Sequence, residues 1–189
     1  IIDGEYAEGA ISSENFSKTL DKIDKDMSIK GLFLRVNSPG GSGFASEIIR
    51  QRLELLNKKI PIVISMGDIA ASGGYWISMN QNTIIANPFT LTGSIGVWAA
   101  LPNFKDSFEN VGILFDKVST NELNFSLLEP PNDNLSSFMQ SYVDGSYNKF
   151  IKLVSKNRQL TIDDTEKIAQ GRIWSGKSLI EILNTFSNV

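Results

Sequence analysis

The 189-residue chain contains no cysteine and no histidine. Without cysteine, disulfides, thiol nucleophiles and cysteine-ligated metals are excluded, while either redox compartment stays open. Without histidine, no Ser-His-Asp triad can be assembled from this chain. A serine nucleophile would need another base, foremost a lysine whose pKa has been lowered by burial. No apolar run is long enough to span a bilayer, and no signal peptide is recognisable. Positive charge is not in excess either. Lys and Arg number 18 against 21 Asp and Glu, giving a net charge of −3 without a long basic run, which argues against nucleic acid as a partner. The chain opens on Ile1-Ile2-Asp3-Gly4 without a start Met and reads as an excised or processed piece.

What is present is ordinary for a soluble globular protein: 41% hydrophobic and 21% charged residues, in a length that suits one domain, 1–189, with a real core. The most informative stretch is Met66-Gly67-Asp68-Ile69-Ala70-Ala71-Ser72-Gly73-Gly74-Tyr75-Trp76, which follows the apolar, β-rich run Ile60–Ser65. It sets a serine among small residues where a helix can begin. A helix start offers unpaired N–H groups, which suit a serine that attacks a carbonyl and needs donors ready for the oxyanion. Ala70, Ala71, Gly73 and Gly74 leave room for a substrate backbone. The alternative is a small-residue turn that only packs a helix tightly against a sheet.

Along the chain, Ser12 or Ser13 can cap a helix over Glu14–Lys25 with Phe16, Leu20 and Ile23 on one face. Ile29–Val36 reads as a strand and runs into Asn37-Ser38-Pro39-Gly40-Gly41-Ser42-Gly43, where Gly40 and Gly41 permit unusual φ values and close backbone approach to a ligand. A helix over Ala45–Asn57 turns Ile48, Ile49, Leu53 and Leu56 inward. Strand, glycine turn and helix also build phosphate loops, but neither GxxxxGK[ST] nor GxGxxG occurs. Ile60–Ser65 is the next strand, then the Ser72 turn, a helix to about Met79, and a strand over Thr83–Ala86. Leu91-Thr92-Gly93-Ser94-Ile95-Gly96-Val97 is another glycine-punctuated apolar segment. Asn103–Asn110 can be helical, Ile113–Val118 reads as a strand, and 119–133 as a loop. A long helix runs from Asn134 to about Lys156. Thr161 caps a short helix over Asp163–Ala169, Gly171–Trp174 is extended, and Ser175 caps a last helix from Lys177. Strands alternating with helices, each strand ending in a glycine turn, predict an α/β fold of parallel βαβ units with ligands at the carboxyl ends of the strands. The turns at 37–43, 67–74 and 92–96 could then face one crevice.

These three turns, taken with Arg35-Val36 and Ile168-Ala169-Gln170-Gly171-Arg172-Ile173-Trp174-Ser175-Gly176, resemble the signal peptide peptidase A (protease IV) family in order and across nearly the whole chain. The resemblance implies a Clp protease/crotonase-like spiral of βαβ units and peptide-bond hydrolysis by a Ser–Lys dyad, in keeping with the missing histidine. It makes Ser72 the nucleophile, Gly40 and Gly73 the oxyanion hole, and Ser94 the residue that orients the base lysine. Gly41, Ala71 and Gly74 would border the substrate. It implies no metal and no cofactor. Substrates would be signal peptide remnants and other apolar peptides, in a homo-oligomer at the bacterial cell envelope, anchored at the cytoplasmic membrane with the catalytic part outside the cytoplasm.

One departure concerns the base. Short members carry their lysine downstream of the serine, where this chain has Thr120-Asn121-Glu122-Leu123-Asn124-Phe125-Ser126. Long members have tandem halves, with the lysine in the N-terminal half and the serine in the C-terminal half. The chain is similar to such a C-terminal half, so the base lysine is expected outside it, in the N-terminal half of the same protein. Lys105 and Lys117 are the alternatives, each better read as a solvated surface lysine. Two other functions compete: a catalytically inactive scaffold of the same fold, and a crotonase-like acyl-CoA enzyme, for which Asp68 is the only carboxylate in the key turn.

Overall fold

The computed structural model describes residues 1–4, 8–80, 83–120, 123 and 125–187. They fall into two compact units, Ile1–Gly96 with Asn148–Val189, and Val97–Tyr147.

The first unit is built on a mainly parallel sheet. Helix α1 (Ser13–Lys25) starts at Ser12, whose hydroxyl accepts the Asn15 N–H at 3.2 Å. Strand β1 (Leu32–Ser38) leads through the Pro39–Ser42 turn into α2 (Gly43–Asn57), capped by Ser42. Along α2, Ile49, Leu53 and Leu56 are buried. The apolar spacing read from the sequence is thus a core face.

Strand β2 (Ile62–Ala71) is longer than its apolar run predicts and pairs parallel with β1 from Leu32↔Ile62 to Val36↔Met66. The next pair is Ser38↔Ala70, so β2 carries two extra residues within a bulge. Side chains bridge the gap. Asn37 Oδ1 accepts the Ile69 N–H at 3.1 Å, and the Thr90 hydroxyl donates to the Gly67 carbonyl at 2.8 Å. A Cβ on Gly67 would meet Asn37 Oδ1 at 2.7 Å, which accounts for glycine there. The turn expected over 67–74 is therefore strand as far as Ala71, and the chain reverses at Ser72.

Helix α3 (Gly73–Ser78) follows, entirely buried. The far edge of β2 is shared: β3 (Thr83–Ile85) pairs with Val63–Ser65 and β4 (Leu91–Gly93) with Ile69–Ala71, both parallel. Strand β5 (Ile173–Ser175) closes that side antiparallel to β4, a departure from the all-parallel expectation. Thr161 and Ser175 cap α6 (Ile162–Ile168) and α7 (Gly176–Ser187), as the sequence predicts.

The second unit carries α4 (Lys105–Glu109) and the first part of α5 (Asp133–Arg158); the rest of α5 lies in the first unit, where Phe150, Ile151 and Val154 are buried. The predicted strand over Ile113–Val118 does not form. These residues make no ladder, and Val118 is 96% exposed. β-Branched and aromatic composition gives strand propensity, but a strand also needs a partner edge. The stretch is held by isolated contacts instead: the Ile113 N–H donates to the Phe108 carbonyl at 3.0 Å, and Phe115 makes a T-shaped pair with Phe108, ring centroids 5.2 Å apart. No helix among the described residues is long and apolar enough to cross a membrane.

The core reading is tested on neighbouring leucines of one helix. Leu53 is fully buried and Leu55 is 54% exposed. Leu53→Ala should cost about 2–5 kcal/mol and Leu55→Ala about 0.5 kcal/mol or less, measured by chemical denaturation.

Candidate active site

Two residues with side chains take positive φ next to the glycine turns: Ser72 at 51° and Ser94 at 49°. Outside glycine such values are uncommon and persist only where surrounding structure enforces them. At Ser72 the enforcement is visible on both sides. Its N–H donates to the Gly93 carbonyl at 2.9 Å, and its carbonyl accepts the Trp76 N–H at 2.8 Å. Ser72 occupies the N-cap position of α3, yet its side chain makes no capping bond. Among the described residues the hydroxyl makes no hydrogen bond, unlike those of Ser12, Ser42 and Thr161, which cap α1, α2 and α6.

The Pro39–Ser42 turn lies directly against this serine. Gly40 has φ 117°, and a Cβ on it would stand 2.8 Å from Ser72 Cβ, 2.9 Å from Gly73 N and 3.1 Å from Ser72 Oγ. A Cβ on Gly73 would stand 3.3 Å from Gly41 N and 2.5 Å from Ser46 Oγ. Only glycine at both positions lets the two turns approach so closely. The Gly40 N–H, however, donates to the buried Ser38 hydroxyl at 3.2 Å. Among the described residues, neither the N–H of Gly41 nor that of Gly73 makes a hydrogen bond.

The remaining candidates divide. Ser94 follows Gly93 at the end of β4 and is held by its N–H to the Arg172 carbonyl at 2.7 Å. That puts it one residue from the carbonyl that grips Ser72. Ala71 is buried at the end of β2. A Cβ on Gly74 would collide with the Ser38 carbonyl, and one on Gly41 with the Ile1 backbone, so chain-on-chain packing accounts for glycine at these two positions. Asp68 is exposed. Lys105 pairs with Glu109 at 3.8 Å and Lys117 with Glu129 at 3.0 Å. The segment 120–126 lies partly outside the described residues.

Behind the serine is a polar cluster that the sequence reading did not single out. Glu47 on α2 accepts from Trp76 Nε1 at 2.9 Å, Arg50 Nε at 2.7 Å, Arg50 Nη2 at 3.0 Å, Gln51 Nε2 at 2.8 Å and Lys149 Nζ at 3.1 Å. The Arg50 side chain is only 8% exposed and also reaches Glu54 at 2.8 Å. Burial pushes the Glu47 carboxyl up, but the hydrogen bonds from Arg50, Trp76, Gln51 and Lys149 outweigh it and hold the pKa at about 2. The sequence signal was the spacing Glu47, Arg50, Gln51, Glu54, which places complementary groups three and four residues apart on one helix.

The site thus joins a serine at a strained strand-to-helix reversal, its hydroxyl without a hydrogen bond among the described residues, to a glycine turn packed against it. The fold is shared with solved structures. ClpP1 of Listeria monocytogenes, an asparagine-to-aspartate mutant, superposes with a TM-score of 0.61 at 12% identity, over 90% of this chain and 79% of that one. The family model for Peptidase family S49 matches residues 54–181, and the chain belongs to that family. Among curated relatives it is 44% identical to Protease 4 of Haemophilus influenzae over 183 residues, 96% of this chain and 30% of that protein. It is 33% identical to a putative signal peptide peptidase SppA of Enterococcus faecium over 172 residues, 89% of this chain and 50% of that protein. The chain thus spans about a third to a half of these relatives.

Because a native carboxylate with lowered pKa loses its advantage only when protonated, the Glu47 cluster makes a signed prediction. Its contribution is fully present above about pH 5 and is lost as pH falls from the ordinary carboxylate value of 4.5 through about 2. The stability difference between wild type and Glu47→Gln, followed by urea unfolding, should therefore shrink steadily over that acid range.

Proposed function

We propose that this chain is the nucleophile-bearing part of a serine endopeptidase and that Ser72 is the nucleophile. The observation that carries the reading is the uncommitted Ser72 hydroxyl at φ 51°, with the Gly40-Gly41 turn packed against it. Membership of a peptidase family and relatives named Protease 4 and signal peptide peptidase support it.

In this mechanism Ser72 Oγ attacks the scissile carbonyl carbon and passes its proton to a neutral lysine amine. The carbonyl oxygen becomes an oxyanion held by backbone N–H groups. Gly73 N–H is one donor. The other is assigned to Gly41 N–H rather than to that of Gly40, because Gly40 N–H is already given to Ser38. Gly40 instead contributes its lack of a side chain, which lets the turn reach the serine. The tetrahedral species collapses, the lysine returns its proton to the leaving amine, and water then releases the acyl group from Ser72 by the same route. Ser94 orients the base. That lysine comes from outside this chain, from the N-terminal half of the same protein. Substrates are signal peptide remnants and other apolar peptides. The protein works as a homo-oligomer at the bacterial cell envelope, anchored at the cytoplasmic membrane with the catalytic part outside the cytoplasm.

Ser72→Ala should abolish peptidase activity of the complete protein while leaving its melting temperature within a few degrees of wild type. Retained hydrolysis in that variant removes the assignment. Activity of the wild type should rise with pH through the lowered lysine pKa, since only the neutral amine accepts the proton. A profile flat from about pH 6 to 10 contradicts a lysine base.

A further inference from the structure

We propose that Glu47 is a positioning residue for hydrolysis: it fixes the spacing between the two turns that supply the oxyanion donors. The inference rests on the assignment of Ser72 and of the Gly41 and Gly73 donors above.

The two donors sit at the starts of two different helices. Gly41 immediately precedes Ser42, the N-cap of α2, and Gly73 is the first residue of α3. Nothing covalent sets the distance between them. α3 has only six residues, too few to hold its own conformation without outside contacts. Two of its side chains make polar bonds to other elements: Tyr75, whose hydroxyl accepts from Arg158 Nε at 3.3 Å, and Trp76, which reaches back to α2. The Trp76 backbone N–H donates to the Ser72 carbonyl at 2.8 Å, and its indole N–H donates to Glu47 at 2.9 Å. The indole also rests on Phe150, with ring centroids 4.3 Å apart. Glu47 lies in α2 four residues after Gly43, where that helix begins. One carboxylate therefore ties the helix after the first turn to the helix after the nucleophile.

The carboxylate is itself fixed. Its side chain is 12% exposed, and Arg50 holds both oxygens at 2.7 and 3.0 Å, with Gln51 and Lys149 on one of them. Paired charges in such a setting give directional, charge-assisted bonds. Arg50 is anchored in turn by Glu54 at 2.8 Å. A second contact acts in the same place. Ser46, beside Glu47, is fully buried with its hydroxyl given to the Ser42 carbonyl at 2.7 Å, and stands where a Cβ on Gly73 would go. Glu47 and Ser46 thus set how far α3 stands from α2. Catalysis by preformed donors depends on that distance, because the donors must match the oxyanion rather than the ground-state carbonyl.

The test uses the complete protein and four variants: Ser72→Ala, Glu47→Gln, Trp76→Phe and the Glu47→Gln/Trp76→Phe double. Trp76→Phe removes the indole N–H while keeping a ring on Phe150, so it reads the bond even where Glu47→Gln fails to fold. In folded protein each of these two variants should lower kcat about tenfold or more with KM changed by less than about threefold, the pattern of an interaction made chiefly in the transition state. The double variant should be scarcely worse than the weaker single one, because both act on the same bond: Trp76→Phe removes its donor and Glu47→Gln the charge of its acceptor. If kcat in folded Trp76→Phe stays within about twofold of wild type while only the melting temperature drops, Glu47 is structural and the inference fails. Ser72→Ala separates the two claims. If it is inactive while Trp76→Phe keeps kcat, only this inference falls; if it is active, the nucleophile assignment falls as well.

Discussion

The chain at Ser72 has to leave a strand and enter a helix within one residue, at a φ of 51° that a side chain resists. Two backbone bonds hold it there, one from Ser72 N–H back to β4 and one from Trp76 N–H forward from α3. The reversal also explains why the hydroxyl is free. With this backbone geometry the side chain does not fold over the start of α3 to cap it, as Ser42 does over α2. Much of the first unit serves to enforce that one conformation. The parallel sheet brings the carboxyl ends of β1, β2 and β4 together, and the three glycine turns meet there for the same reason that ligands gather at such edges.

The enforcement depends on close approach. Gly40 and Gly73 are small because the two turns touch, whereas Gly41 and Gly74 are small because chain packs on chain. Treating all four as substrate-facing, as the sequence invites, merges two physical causes. The Ser38 hydroxyl adds a distinction of its own: it takes the Gly40 N–H, whereas the Gly41 N–H makes no hydrogen bond among the described residues. The Glu47 cluster links α2 to α3 by charge-assisted bonds, which are directional where apolar packing alone would leave some play.

Much of this was legible in the sequence. The alternation of apolar runs with Gly-rich turns gave the strand–helix order, and Ser12, Thr161 and Ser175 stand at helix starts because their hydroxyls can accept the orphan N–H groups, as does Ser42, which the sequence reading left in the turn before α2. The absence of histidine narrowed the chemistry before any geometry was known. Other features were hidden for physical reasons. Strand β2 continues through Gly67 and Asp68 because Asn37 and Thr90, distant in sequence, satisfy the bulge, and no local pattern announces that. Ile113–Val118 has strand composition but no edge to pair with. Trp76 was readable as core, and it is buried, but its N–H bond to Glu47 joins residues 29 apart and belongs to tertiary structure.

The claim at the centre of this account is that Ser72 carries an activated hydroxyl whose base lies outside the chain. The most direct measurement is labelling by an active-site-directed fluorophosphonate, with the adduct mapped by mass spectrometry, on this chain alone and on the complete protein. The account predicts an adduct on Ser72 in the complete protein and none in the isolated chain. Labelling of the isolated, folded chain would place the base within it and turn attention to Lys105 and Lys117. The absence of any Ser72 adduct in folded, complete protein would contradict the account.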